Sequence, residues 1–212
     1  MRFLLLLVTA CFVASYADAQ LIGGGFKPGY YYDSKGIKVE GFINQKPSSL
    51  SRSNKASNAI LFKSSKDSKK ELVYAVDMQS YVVDADSFAV VTLPASIHDT
   101  RYRIGFAKVL FDEKTKVYLI EEKASPSFGL SAGNRGAMPS VNFSNYRTKV
   151  YLFGENGNTV ELMDKKNFHE VLSSVLSAYP ELRDKVNSNE VKFEDIERLS
   201  EEYLSRKAAK SR

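Results

Sequence analysis

The chain has 212 residues, 30 Lys and Arg against 25 Asp and Glu, a net charge of +5, two histidines and one cysteine. A single cysteine excludes an internal disulfide, and two histidines without recognisable ligand spacing argue against a zinc centre. A basic balance suits anionic headgroups, anionic glycolipids or acidic partners, or simple solubility.

The chain opens with Met1-Arg2, then the apolar run Phe3–Val8, small and apolar residues to Ala14, and Ala17-Asp18-Ala19 before Gln20. A charged start, apolar middle and small-residue exit predict a secretory signal over 1–19, cut between Ala19 and Gln20. A membrane-spanning helix needs about 20 apolar residues, and Asp18 and Gly23-Gly24-Gly25 interrupt the run. Val8-Thr9-Ala10-Cys11 also reads as a lipobox. Cutting before Cys11 would leave an apolar stretch at the short end of the ~7–15 residues such signals use, so the Ala19 site is favoured. The mature chain then has no cysteine and keeps its net charge, because Arg2 and Asp18 leave together. Export makes nucleic acid the weaker partner. No second stretch approaches membrane-spanning length.

Residues 20–29 read as a flexible leader, since the three glycines lack the strand and helix that flank a nucleotide fingerprint. From 30 to 163 the chain reads as β-structure. "YYYDSKGIKVEGFI" predicts a hairpin turning at Asp33–Gly36. A polar Ser-rich loop spans 44–58, and "AILFK" and "LVYAV" flank a turn carrying Lys63, Lys66, Lys69 and Lys70. "SFAVVTL" predicts a further strand, and Ile104–Phe111 and Val117–Ile120 flank a turn at 112–115. The last hairpin, "KVYLF" to "TVELM", turns at Glu155–Asn158, where Asn156-Gly157 suggests positive φ angles.

Residues 125–147, "SPSFGLSAGNRGAMPSVNFSNYR", show little periodicity and predict a long loop, which in a compact domain is functional or disordered. Phe128, Arg135, Met138, Phe143 and Tyr146 are of types enriched at protein interfaces, which makes them the candidate partner contacts.

Beyond Asp164 the period changes. Phe168, Val171, Leu172, Val175, Leu176 and Tyr179 form one helical face, with Asp164 as N-cap and Pro180 ending the helix or starting another. Leu182 and Val186 would be the buried side of a short segment. Phe193, Ile196, Leu199, Tyr203 and Leu204 form the face of a last helix, whose acidic start and basic end suit its dipole. Strands first and helices last predict an α+β fold: an antiparallel sheet or small barrel-like domain, then a helical segment over 164–212. The strands are too short and too charged for an outer-membrane barrel.

Catalytic chemistry finds no foothold. His98 and His169 lack metal-ligand spacing, no G-x-S-x-G elbow is present, and Gly129, Gly133 and Gly136 lack the Lys-Ser/Thr of a phosphate loop. No catalytic, cofactor or metal residue is assigned.

Three stretches, "GIKVEGFI", "VYLFGENGNTVELMDKKNFHEVLSSVL" and "YPELRDKVNSNEVKFEDIERLSEEY", together resemble a group of uncharacterised, signal-bearing envelope proteins of Bacteroidota. The resemblance covers about half the mature chain and implies an envelope location, periplasmic or associated with the outer membrane, without catalytic residues. The expectation is an exported, non-enzymatic accessory or interaction subunit whose partners are outer-membrane or other envelope proteins. The alternatives are a glycan- or anionic-lipid-binding module using Tyr30, Tyr31, Tyr32 and lysines, and a hydrolase with an unrecognised site.

Overall fold

A computed structural model describes residues 25–45, 58–94, 104–123, 127–131, 138–142 and 147–210. Cys11 and the Ala19–Gln20 cleavage site lie outside the described residues. The chain divides between Ala85 and Asp86 into two compact units, so the β-rich stretch 30–163 spans both.

Unit 1 is a five-stranded antiparallel sheet: β1 (Lys27–Asp33), β2 (Lys38–Asn44), β3 (Ala59–Lys63), β4 (Glu71–Tyr74) and β5 (Met78–Val83), in the order β5-β1-β2-β3-β4. The expected first hairpin forms. Asp33 Oδ1 accepts the backbone N–H groups of Lys35 and Ile37 at 2.9 and 2.8 Å, and Gly36 takes the positive φ of 81°. Along the strands burial falls mainly on one parity, which includes Ile43, Ile60, Phe62, Val73, Tyr81 and Val83, while Ala59 and Met78 are buried as well. A Cβ on Gly41 would lie 2.6 Å from Phe62 Cζ, so glycine lets that ring cover β2.

A three-residue 3-10 turn, Ala75–Asp77, joins β4 to β5, which stand at opposite ends of this unit's strand order. In a flat sheet these strands would be about 19 Å apart. Four peptide steps reach at most about 14 Å. The sheet therefore curls.

Unit 2 carries β6 (Asp86–Thr92), β7 (Ile104–Asp112), β8 (Lys116–Lys123), β9 (Ser127–Ser131), β10 (Met138–Asn142), β11 (Arg147–Asn156) and β12 (Thr159–Met163), followed by α1 (Phe168–Val175), α2 (Pro180–Asn187) and α3 (Ile196–Lys210). The main ladder runs β6-β7-β8-β11-β12, all antiparallel, while β9 and β10 form a separate two-stranded ladder. The fold is α+β, as the order of sequence patterns implied.

Alternation splits the apolar residues of the main ladder between two cores. Val91, Leu93, Ala107, Tyr118 and Leu152 form one, with Val109, Ile120 and Val150 against them. Val117, Leu119, Tyr151 and Met163 face the helices and join Phe168, Val171, Leu172, Val175, Leu176, Leu182, Val186, Ile196, Leu199 and Tyr203. A register shift between Val109 and Phe111 gives the helix side two consecutive β7 residues, Leu110 and Phe111.

The β11–β12 turn reaches back to β6: Thr92 N–H donates to the Gly157 carbonyl at 2.7 Å. The positive φ suggested for Asn156-Gly157 is not what glycine supplies here, since the positive-φ glycines among the described residues are Gly25 and Gly36. Gly157 serves close approach instead, because a Cβ there would lie 2.0 Å from the Val90 carbonyl oxygen.

The helices follow their periodicity with three corrections. Asp164 does not cap α1; its carboxylate accepts the N–H groups of Lys166 and Asn167 and shapes the preceding turn, leaving Asn167 at the N-cap. The expected single helix over 168–179 tightens into a 3-10 turn at Leu176–Ala178 before Pro180 opens α2. Leu204, expected on the buried face of α3, is 46% exposed.

Candidate functional site

Several cations of the C-terminal segment are engaged in holding the fold. In the basic tail, Arg206 pairs with Glu181 and with Glu202, which also meets Lys185 at 2.8 Å. Lys207 pairs with Glu113 at 3.5 Å and donates to the Tyr203 hydroxyl at 2.9 Å, and Lys210 donates to the Ala178 carbonyl at 3.0 Å. Lys185 and Arg206 hold the Glu202 carboxyl below the usual carboxylate range by hydrogen bonding to its charged form. These cations tie α3 to α2 and to the β7–β8 turn. Buried Tyr203 completes the junction: its hydroxyl lies 2.7 Å from Glu113 Oε1, and burial, then Glu113, push its ionisation well above the tyrosine range.

The lysine turn of unit 1 is also ordered. Lys63 donates to the Lys66 carbonyl, and Ser65 and Ser68 bond each other across the turn at 3.0 and 3.1 Å. The three adjacent tyrosines do not share a face. Tyr31 packs edge-on against Phe62, ring centroids 5.0 Å apart, on the buried side. Tyr30 and Tyr32 lie on the other side with their rings perpendicular at 89°, and the Lys38 ammonium sits 4.2 Å from the Tyr30 centroid. Perpendicular rings, one of them capped by a cation, make no flat platform for a sugar chain.

His98 lies outside the described residues. The His169 ring stacks on Phe168 at 3.9 Å, and its Nε2 is buried without a hydrogen-bond partner. Among the described residues no group of three or more His, Cys, Asp or Glu is placed to hold a metal ion, and no helix is long and apolar enough to cross a membrane.

The segment 125–147 differs most from its sequence reading. Instead of a structureless loop it contains an antiparallel hairpin, β9 against β10, paired Ser127–Asn142, Phe128–Val141, Gly129–Ser140, Leu130–Pro139 and Ser131–Met138. Directly opposed residues share a face and successive residues alternate. Phe128, Leu130, Pro139 and Val141 therefore lie on one face; Ser127, Gly129, Ser131, Met138, Ser140 and Asn142 lie on the other. The hairpin is amphipathic. Of the expected contact residues, Phe128 belongs to the apolar face and Met138 to the polar one, while Arg135, Phe143 and Tyr146 lie outside the described residues. Leu130, Pro139 and Val141 were missed, although "SFGLS" and "MPSVN" alternate in the period of a strand. Short length and the central glycine and proline hid that signal.

Three residues separate β8 from β9 and four separate β10 from β11, so short links tether the hairpin to the last β8–β11 pair, Lys123–Arg147. Among the described residues β9 and β10 pair only with each other. Comparison with protein-family models, curated proteins and solved structures finds no match for this chain.

Proposed function

We propose that this chain is an exported, non-enzymatic interaction subunit of a bacterial cell envelope, and that it presents the β9–β10 hairpin to an outer-membrane or other envelope protein. The carrying observation is the apolar face of that hairpin, Phe128, Leu130, Pro139 and Val141. A lone two-stranded hairpin is marginal in water and gains stability when its apolar face is covered. Fully burying a side chain of the Phe, Leu or Val type contributes roughly 1.5–3 kcal/mol. The N-terminal signal pattern and the resemblance to envelope proteins support the location. Glycan or anionic-lipid binding is the weaker reading, because the tail cations are paired within the fold and the tyrosines point to opposite sides.

Affinity purification of the native protein from gently solubilised envelopes tests the proposal. The expected result is a stoichiometric envelope protein with the wild type, lost with the Phe128→Asp, Val141→Asp double variant. Recovery of the wild type alone would overturn it, as would unchanged partner recovery by the double variant. Mass spectrometry of the mature N-terminus in the same sample separates release at Gln20 from a lipid anchor on Cys11.

A further inference from the structure

We propose that the outer edge of β9 pairs antiparallel with the same edge of a second copy of this chain, joining two hairpins into one four-stranded sheet. The inference rests on the reading of the hairpin as a contact element and adds how that element is completed.

The argument starts from Pro139. In an antiparallel ladder, alternate opposed pairs exchange both N–H···O bonds and the pairs between exchange none. Pro139 stands opposite Leu130 and has no N–H to donate. The exchanging pairs are therefore Met138–Ser131, Ser140–Gly129 and Asn142–Ser127. Leu130 and Phe128 occupy the intervening pairs, so their backbone N–H and C=O groups point away from β10. On the far side of β10 the corresponding residues are Pro139 and Val141, and the proline leaves that edge short of a donor. The two edges are thus unequal: β9 offers a full set of backbone groups and β10 does not.

What fits the β9 edge is written in its own sequence. "SFGLS" is nearly palindromic about Gly129 and carries no charge. A two-fold axis through Gly129 sets Phe128 opposite Leu130 of the second copy, Gly129 opposite Gly129, and Ser127 opposite Ser131. Apolar residues meet apolar ones, small meets small, and no like charges oppose each other. The backbone agrees, because the outward-pointing groups of Phe128 and Leu130 fall opposite each other and become the exchanging pairs. Such self-complementarity is what an isologous dimer requires. The sheet order becomes β10-β9-β9-β10, which doubles the apolar face. The proline-bearing edges lie outermost, where they resist further strand addition and close the assembly at two copies.

A cysteine at the two-fold tests the geometry. Opposed residues of a non-exchanging pair have Cα atoms about 4.5 Å apart, within the ~4.4–6.8 Å a disulfide spans. In a Cys11→Ser background, Gly129→Cys should give a reducible dimer under mild oxidation with copper phenanthroline. Ser140→Cys, on the β10 side, should not, because three strand spacings separate the two copies there. By light scattering the wild type should be a dimer. Leu130→Pro, which removes an outward N–H, should weaken association at least about tenfold, or about 1.4 kcal/mol, with an unchanged far-ultraviolet circular dichroism spectrum.

A monomeric mass at every concentration, or equal cross-linking through position 140, would overturn the pairing. Recovery of an envelope partner by a monomeric protein sinks the pairing alone, whereas a dimer without any envelope partner sinks the proposed function alone.

Discussion

Unit 2 uses the same two-residue alternation twice, with different consequences. On β8 and β11 the alternation puts Val117, Leu119 and Tyr151 against three helices, where each is at most 4% exposed. On β9 and β10 it puts Phe128, Leu130, Pro139 and Val141 on one face of a two-stranded ladder that pairs with no other strand among the described residues. The first pattern is closed by the chain's own C-terminus and stabilises the fold. The second is the face that the proposed function gives to a partner. Alternation determines that a face is apolar; what lies within reach of it determines whether the face is core or contact surface.

Substitutions should separate the two faces by the size of their effect on stability. Leu172 is fully buried in the helix-side core, so Leu172→Ala should cost about 2–5 kcal/mol by urea unfolding. Gly157→Ala should cost about 1–3 kcal/mol, because its Cβ would meet the Val90 carbonyl at 2.0 Å; a loss below a few tenths would remove the argument for close approach at the β11–β12 turn. Tyr203→Phe strips the hydroxyl that meets Glu113 and Lys207 and should cost about 1–2 kcal/mol. Val141→Asp, on the hairpin, should change monomer stability by less than about 0.5 kcal/mol while abolishing partner recovery. Equal destabilisation by Val141→Asp and Leu172→Ala would erase the distinction between the faces.

Titration sharpens the same contrast. Burial, with Glu197 beside Tyr151 and Glu113 beside Tyr203, raises the ionisation of both tyrosines above the ordinary value of about 10. A raised folded-state pKa gives a contribution fully present below the unfolded pKa and lost as pH rises through the folded one. Unfolding followed against pH should therefore show a helix-side core that is steady to about pH 9–10 and weakens above it, and Tyr203→Phe should flatten part of that fall. A fall that is identical in the variant would show that Tyr203 does not carry it.

Legibility followed pattern length and the source of each constraint. The C-terminal segment was readable because thirteen of its apolar positions recur at helical spacing, and twelve of those thirteen are at least partly packed into the core, Leu204 being the exception. The first hairpin was readable because Asp33 and Gly36 carry local turn chemistry. The β9–β10 hairpin was not, since five-residue strands broken by Gly129 and Pro139 give too few alternations to stand out from a loop. The role of the basic tail was hidden for another reason: Arg206, Lys207 and Lys210 read as the basic end of a helix, and folding alone brings Glu181, Glu113 and the Ala178 carbonyl beside them from other elements.

By itself the sequence determined the α+β order, the first turn, the helix faces and the lack of recognisable catalytic spacing, because each depends on residues within about one or two turns of one another. Only the tertiary structure decided that the tail cations are structural, that Gly157 is needed for its smallness, and that Phe128 shares a face with Leu130, Pro139 and Val141. Each of those depends on strand register and long-range packing, where a one-residue shift moves a side chain to the opposite face.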